Sequence, residues 1–458
     1  VSLFQEVANR FFAASHESLP PAPSLVDMLV AISKGLDLLE GRPIRHALKI
    51  AVLCGVVGKQ MNLPERELMP LLVAGLIHDV GMVKIAQDLA RALPLGLREK
   101  ELLYAHTLLN ARLGALAKPV ELPDALIKIL HHHPKAAMWF TEAIGLSDDV
   151  KVLIEHHHEL CDGSGYPIGF KREEIPLGSR ILALADTAEA VMHEVTGLNA
   201  RRLSLEAFLD NAEVMQKFDP EVAQAFRYAT LEAPDSDELL GALYSLDVEE
   251  RFRQLMTMRA EPLPGANVLT LCTAMGKLTD HLTPQYTENH SYRVAQIAAR
   301  MAEHLGIGPE QTGELIIAGL LHDIGMLVVP VEVIISKGTL TQYEWRLIHD
   351  HPHYTETILK GVPGFKNLTT WAAEHHERLN GSGYHCRKKG IEITLGGRIL
   401  GVADVFVALT SQRPYRPHAY EPLDALPILN QGRNRLYDSH LVNVLKSVLL
   451  SEPVLLNV

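Results

Sequence analysis

Two adjacent histidines and a glutamate stand just ahead of a glycine-rich loop twice in this chain, as HHELCDGSGYP over 157–167 and as HHERLNGSGYH over 375–385. Neighbouring side chains on a helix point about 100° apart, so such a pair at a helix end can reach two metal ions, or one ion and its ligand. A single His-His pair is more often a surface or capping feature than a metal site. Here the surroundings are duplicated as well. His46 opens HALKIA and His290 opens HSYRVA; His78-Asp79 in HDVGM is echoed by His322-Asp323 in HDIGM; Asp186 ends RILALAD and Asp404 ends RILGVAD. His46 to His78 and His290 to His322 are both 32 residues, and His158 to Asp186 and His376 to Asp404 are both 28. Matched intervals of this kind define an internal repeat.

One ligand position needs a choice. His351, in a His-Pro pair, stands 24 residues before His375, as His133 stands 24 before His157, and the segment 122–134 aligns with 340–352. This favours His133 and implies an insertion over about 88–117; the alternative is His106, which has Glu99 seven residues ahead as His351 has Glu344. Each half then offers five histidines and two aspartates: His46, His78, Asp79, His133, His157, His158 and Asp186, then His290, His322, Asp323, His351, His375, His376 and Asp404. That is too many for one tetrahedral zinc and suits two octahedral ions bridged by an aspartate. Imidazole and carboxylate without thiolate favour iron or manganese. Two ions with open positions suit phosphoester hydrolysis, in which a hydroxide between them attacks phosphorus in line.

Few segments alternate as strands do, so the elements that position these residues are expected to be helices and the class all-α. Expected helices include 25–39 with Ser24 as N-cap, one opened by Pro43 and running through His46 to about Gln60, 65–77, and 177–195. The length of 458 residues allows two or three domains. These are expected as an N-terminal helical segment 1–24, a first domain 25–235, a linker or helix 236–264, and a second domain 265–458. A net charge of −12 argues against binding polymeric nucleic acid. No uninterrupted apolar run looks long enough for a bilayer, so no membrane partner is expected. Four scattered cysteines without a disulfide framework suit a reducing cytoplasm. His131, His132, His156 and His349 read as bystanders on the same helix ends.

The His-Asp, His-Pro, HHExxDG and GSGY motifs, in one order, make both halves resemble HD-GYP domains, bacterial phosphodiesterases of the HD superfamily that hydrolyse cyclic di-GMP and, in some members, cyclic GMP-AMP. The resemblance covers roughly 25–230 and 265–450. It implies a helical bundle, a cyclic dinucleotide substrate, two or three iron or manganese ions per active domain, the seven residues of each half as ligands, and Asp79 and Asp323 bridging as the catalytic aspartates. It also points to Tyr166, Tyr384, Arg378, Arg413 and Arg416 as substrate contacts, and to a second copy of the chain or a diguanylate cyclase as protein partner. The departures are informative. Met82 and Met326 replace the family's lysine after His-Asp-x-Gly, with Lys84 nearby in the first half. Arg42 and Tyr286 replace the glutamate of three-metal members, so two ions per domain are expected. The first half lacks the Arg-Pro-Tyr segment that the second keeps at 413–415; the second has Asn380 and His385 where the first has Asp162 and Pro167. The second half is therefore the expected main catalytic site, and the first a metal-bound regulatory partner. The alternative is an impaired receptor that binds metal and nucleotide, or a partner protein, without turnover.

Overall fold

A computed structural model describes residues 22–39, 45–92, 124–256, 265–282, 289–336, 338–413, 416 and 418–452. Every named element among them is a helix, and β-pairing is limited to isolated bridges. Two compact units divide the chain, one of residues 32–260 and one of 261–458 to which 1–31 are assigned. Residues 236–255 form the helices Ser236–Leu243 and Val248–Leu255 of the first unit. Their apolar side chains Leu239, Leu240, Phe252 and Leu255 are buried there, so this stretch is structural core. Most of the expected insertion, with Glu99 and His106, lies outside the described residues, as do Arg42, Tyr286, Pro414 and Tyr415.

Sequence chemistry sets the helix ends. Ser24 and Asp27 cap Leu25–Leu39 reciprocally, the hydroxyl accepting Asp27 N–H at 3.2 Å and the carboxylate accepting Ser24 N–H at 2.8 Å. Thr341 and Glu344 do the same for Gln342–His349. The helix expected from Pro43 instead begins at His46, because Arg45 holds φ 86° and cannot continue a right-handed helix. Asp37 accepts N–H groups from Arg45 and Ala47 at 2.6 and 3.0 Å, which caps the first turn. Asn289, at φ 59°, precedes His290 in the same way, and Asp280 accepts from Ser291. The first histidine thus stands at a helix start in both units. The helix carrying Asp186 ends at His193.

Two helices pack together in each unit, His46–Gln60 against Glu65–Ile77 and His290–His304 against Pro309–Leu321. They cross closely because Gly75 and Gly319 are glycines: an added Cβ would lie 2.9 Å from Ala51 Cα and 2.7 Å from Ala295 Cα. The stretch Glu65–Ala86, contrary to expectation, is long and apolar enough to cross a membrane, with mean hydropathy 1.6. Eighty-nine per cent of its window is buried inside the protein, which makes it a core element that delivers His78 and Asp79.

Candidate metal centres

The His-Asp pair follows the second of the two packed helices, and the chain turns at once at Gly81 or Gly325. A Cβ at these positions would stand 1.9 Å from the His133 carbonyl oxygen and 2.0 Å from that of His351. Glycine is therefore required for the turn to touch the helix that begins with His-Pro. That contact brings the third histidine to the aspartate. The His-His pairs arrive just past Asp148–Glu155 and at the end of Lys366–Glu374, and Asp186 and Asp404 from the long helices Leu177–His193 and Leu395–Leu409.

All seven expected residues meet in each unit, in two subgroups. Asp79, His133, His157 and His158 form one and His46, His78 and Asp186 the other; Asp323, His351, His375 and His376 mirror the first and His290, His322 and Asp404 the second. Within a subgroup, ligating atoms lie within 4.8 Å of one another. The aspartate of the His-Asp pair spans both. Asp79 Oδ1 faces His133 Nε2 at 3.2 Å and His157 Nε2 at 3.6 Å, while Oδ2 faces His78 Nε2 at 2.9 Å. Asp323 Oδ1 faces His351 and His375 at 3.3 and 3.5 Å, and Oδ2 faces His322 and His290 at 3.3 and 3.6 Å.

Backbone carbonyls fix the rings. His78, His133, His157, His322, His351 and His375 each place Nδ1 2.5–3.0 Å from the carbonyl oxygen three residues earlier. A carbonyl only accepts, so Nδ1 carries a proton in each, and Nε2 presents a lone pair inward wherever the ring is neutral. The buried Nε2 atoms of His78, His157 and His322 stand 2.9–3.6 Å from carboxylate oxygens without hydrogen-bond geometry. Buried imidazole nitrogens and carboxylate oxygens aimed together at one space, with the rings fixed from behind, fit a pair of divalent ions. Burial lowers the pKa of His157 and His375 to about 4, which keeps them neutral. Burial would also lower His78 and His322, but the adjacent aspartates outweigh it and raise both to about 9. Despite the opposing effect of burial, the charge of those histidines holds Asp79 and Asp323 well below the usual carboxylate range.

Several roles were not legible in the sequence. The glutamate of each HHE triplet turns away from the ligand subgroups and ties down the loop. Glu159 accepts N–H groups from Ile168, Gly169 and Phe170, and Glu377 from Cys386, Arg387 and Lys388, at 2.7–3.0 Å. Asn380 is no impairment of this loop, since its Oδ1 accepts from Ser382 N and Oγ at 3.0 and 2.7 Å as Asp162 does from Ser164 at 2.9 and 2.6 Å. His131 and His349 are more than bystanders: they stack on Tyr166 and Tyr384 at 3.9 and 4.1 Å between ring centroids. The repeated His-x-His-Pro spelling was the signal for them. Those tyrosines also pack on His158 and His376, at 4.7 and 4.6 Å. His46 Nδ1 donates to Glu189 at 2.5 Å, and Lys49 binds the same carboxylate at 2.7 Å. The second unit has Val407 at the position of Glu189, and no such carboxylate partner for His290 Nδ1 among the described residues.

The expected substrate arginines differ from one another. Arg416 donates to the carbonyls of Ala408 and Ser411 at 2.7 and 2.5 Å, and Arg378 to those of His375 and Glu377 at 3.0 and 2.9 Å. Both guanidinium groups brace backbone. Arg413 is half-buried; burial lowers the pKa of His290 against the raising effect of Asp404, and the Arg413 charge adds to the lowering. Met82 is a core residue beside Ile85, Leu89, Leu130 and Ala136, whereas Met326 is only partly buried. Lys84 is exposed.

This helical scaffold and its His/Asp clusters agree with the comparison to known families. An HD domain model matches residues 116–222 and 277–441, more than half of the chain, and the chain belongs to that family. Among individual proteins, it is 29% identical to the 3'3'-cGAMP-specific phosphodiesterase 3 of Vibrio cholerae, over 93% of this chain and 94% of that one. It is 37% identical to the cyclic di-GMP phosphodiesterase response regulator RpfG of Xanthomonas campestris pv. campestris, over 33% of this chain and 41% of that protein. A crystal structure of a cyclic GMP-AMP specific phosphodiesterase from V. cholerae superposes with a TM-score of 0.65 at 27% identity, covering 94% of this chain and 99% of that one.

Proposed function

We infer that this protein is a metal-dependent phosphodiesterase that hydrolyses a cyclic dinucleotide, and that the second unit carries the main activity. The observation that bears most weight is Asp323. One of its oxygens is turned to each ligand subgroup, and its side chain is 21% exposed where that of Asp79 is 6% exposed. A substrate phosphodiester needs access to that carboxylate's surroundings, and the second unit offers more of it. The seven residues of each unit would hold two iron or manganese ions, which when bound would supply an activated water and neutralise charge on the phosphoryl oxygens. Asp323 would bridge and orient them, with Asp404 and the five histidines completing the shells. Arg413 would grip a phosphate, a role supported by its charge being felt at His290 while Arg378 and Arg416 donate to backbone carbonyls. Arg416 and Arg378 would act by holding the loop and the His-His turn, and Tyr384 by lining the entrance beside His376. In the first unit Tyr166 and the deeper Asp79 suit a regulatory metal site.

The relative that spans nearly the whole chain makes 3'3'-cyclic GMP-AMP the first substrate to offer, with cyclic di-GMP beside it. The test is product analysis on anaerobically purified protein loaded with iron or manganese. Linear dinucleotide or mononucleotide should appear and vanish with chelator. His375→Ala should reduce turnover at least about a hundredfold and His157→Ala far less. Metal-loaded protein without product would establish the receptor reading; loss of activity only with first-unit variants would reverse the assignment of units.

A further inference from the structure

A third cluster of ligating side chains lies in the second unit outside the fourteen residues above. His353, Glu356 and His385 bring three ligating atoms within 4.8 Å of one another. His353 and Glu356 are three residues apart on the helix His351–Leu359, and so share a face. His385 comes from the Gly-Tyr loop, at φ 82°, with Nε2 3.0 Å from Glu356 Oε2. The rings of His353 and His385 are 5.6 Å apart. The repeat supplies an internal control. The first unit has Lys135, Met138 and Pro167 at the corresponding positions, none of which pairs with another to hold a cation. His385 stands where the first unit has Pro167, in the same unit that carries His353 and Glu356. An ordinary His-Glu ion pair would explain His385 and Glu356 but gives His353 no role.

We propose that His353, Glu356 and His385 form a binding site for one divalent transition-metal ion of the zinc type. Two imidazoles and a carboxylate are borderline ligands that suit zinc over magnesium or calcium, and three protein ligands leave a position for water. The ion would join the 381–388 loop, which carries Tyr384, to the helix that begins with His351. The probe is zinc, titrated into full-length protein already loaded with manganese, in wild type and in His353→Ala, Glu356→Gln and His385→Pro. The last copies the residue the first unit uses. Zinc per chain is counted by elemental analysis, and hydrogen exchange is followed over 381–388. Because exchange at the other centres is common to all four proteins, the difference between wild type and variants isolates this site. Wild type should bind one more zinc than each alanine or proline variant, with Glu356→Gln weakened at least about tenfold. Zinc should slow exchange of the loop only in wild type. Equal zinc content in wild type and in folded His353→Ala and His385→Pro would overturn the proposal, as would loop protection that all four proteins share.

Discussion

At the residue scale, the two methionines that replace the expected lysine are not equivalent. Met82 is enclosed by Ile85, Leu89, Leu130 and Ala136, while Met326 is partly exposed. Met82→Lys would bury an unpaired ammonium and should destabilise the first unit by about 3 kcal/mol or more. Met326→Lys can reach water and should leave the melting temperature nearly unchanged. Its effect on turnover tests whether a missing cation limits the rate: a several-fold rise in kcat is expected, and an unchanged kcat would remove that explanation. Glu377 is a second residue whose role can be separated. Glu377→Ala removes the acceptor of three loop N–H groups, so it should raise KM and loosen the loop while leaving metal content intact, measured by elemental analysis. Had the carboxylate been a ligand, metal would be lost instead.

At the element scale, Gly325 and its counterpart Gly81 are where the fold assembles the centres. Gly325→Ala forces the His-Asp turn away from His351 and should cost at least about 2 kcal/mol together with most of the second unit's metal, read by melting and metal analysis. Helix capping adds a pH dependence. Burial pushes Asp280 up to about 7, against the hydrogen bonds from Ser291 that pull it down. A carboxyl whose folded pKa exceeds its unfolded value favours the fold while protonated, so its contribution is full below about pH 4 and is lost as pH rises through about 7. With chelator present, Asp280→Asn should therefore lack the part of the wild-type fall in stability between those pH values, a difference of order a few kcal/mol at most. A parallel pH profile in both proteins would show that the carboxyl stays ionised when folded.

At the scale of the whole molecule, two seven-ligand sets predict about four iron or manganese ions per chain. Because ions bind the folded state, chelation should lower the melting temperature. Each site held at a hundred times its dissociation constant contributes about 2.7 kcal/mol. Stripping metal should shift both units if each is loaded. One unshifted transition would identify a unit that folds its ligands without filling them.

Much of this protein was legible in the sequence, because metal ligation demands particular side chains and a repeat fixes their intervals. The all-helical class, the duplicated order of elements and the clustering of the histidines and aspartates all follow from residue types and their spacing along the chain. The structure alone decided what depends on direction in space. It turned Glu159 and Glu377 to the loop rather than to the histidine and aspartate clusters, committed Arg378 and Arg416 to backbone carbonyls, and put His131 and His349 on the tyrosines. It also buried Asp79 more deeply than Asp323. Spacing along a helix says which residues share a face, but not what stands opposite. The close crossing at Gly75 and Gly319 and the tight turns at Gly81 and Gly325 decide that, because they set how near separate stretches of chain can approach.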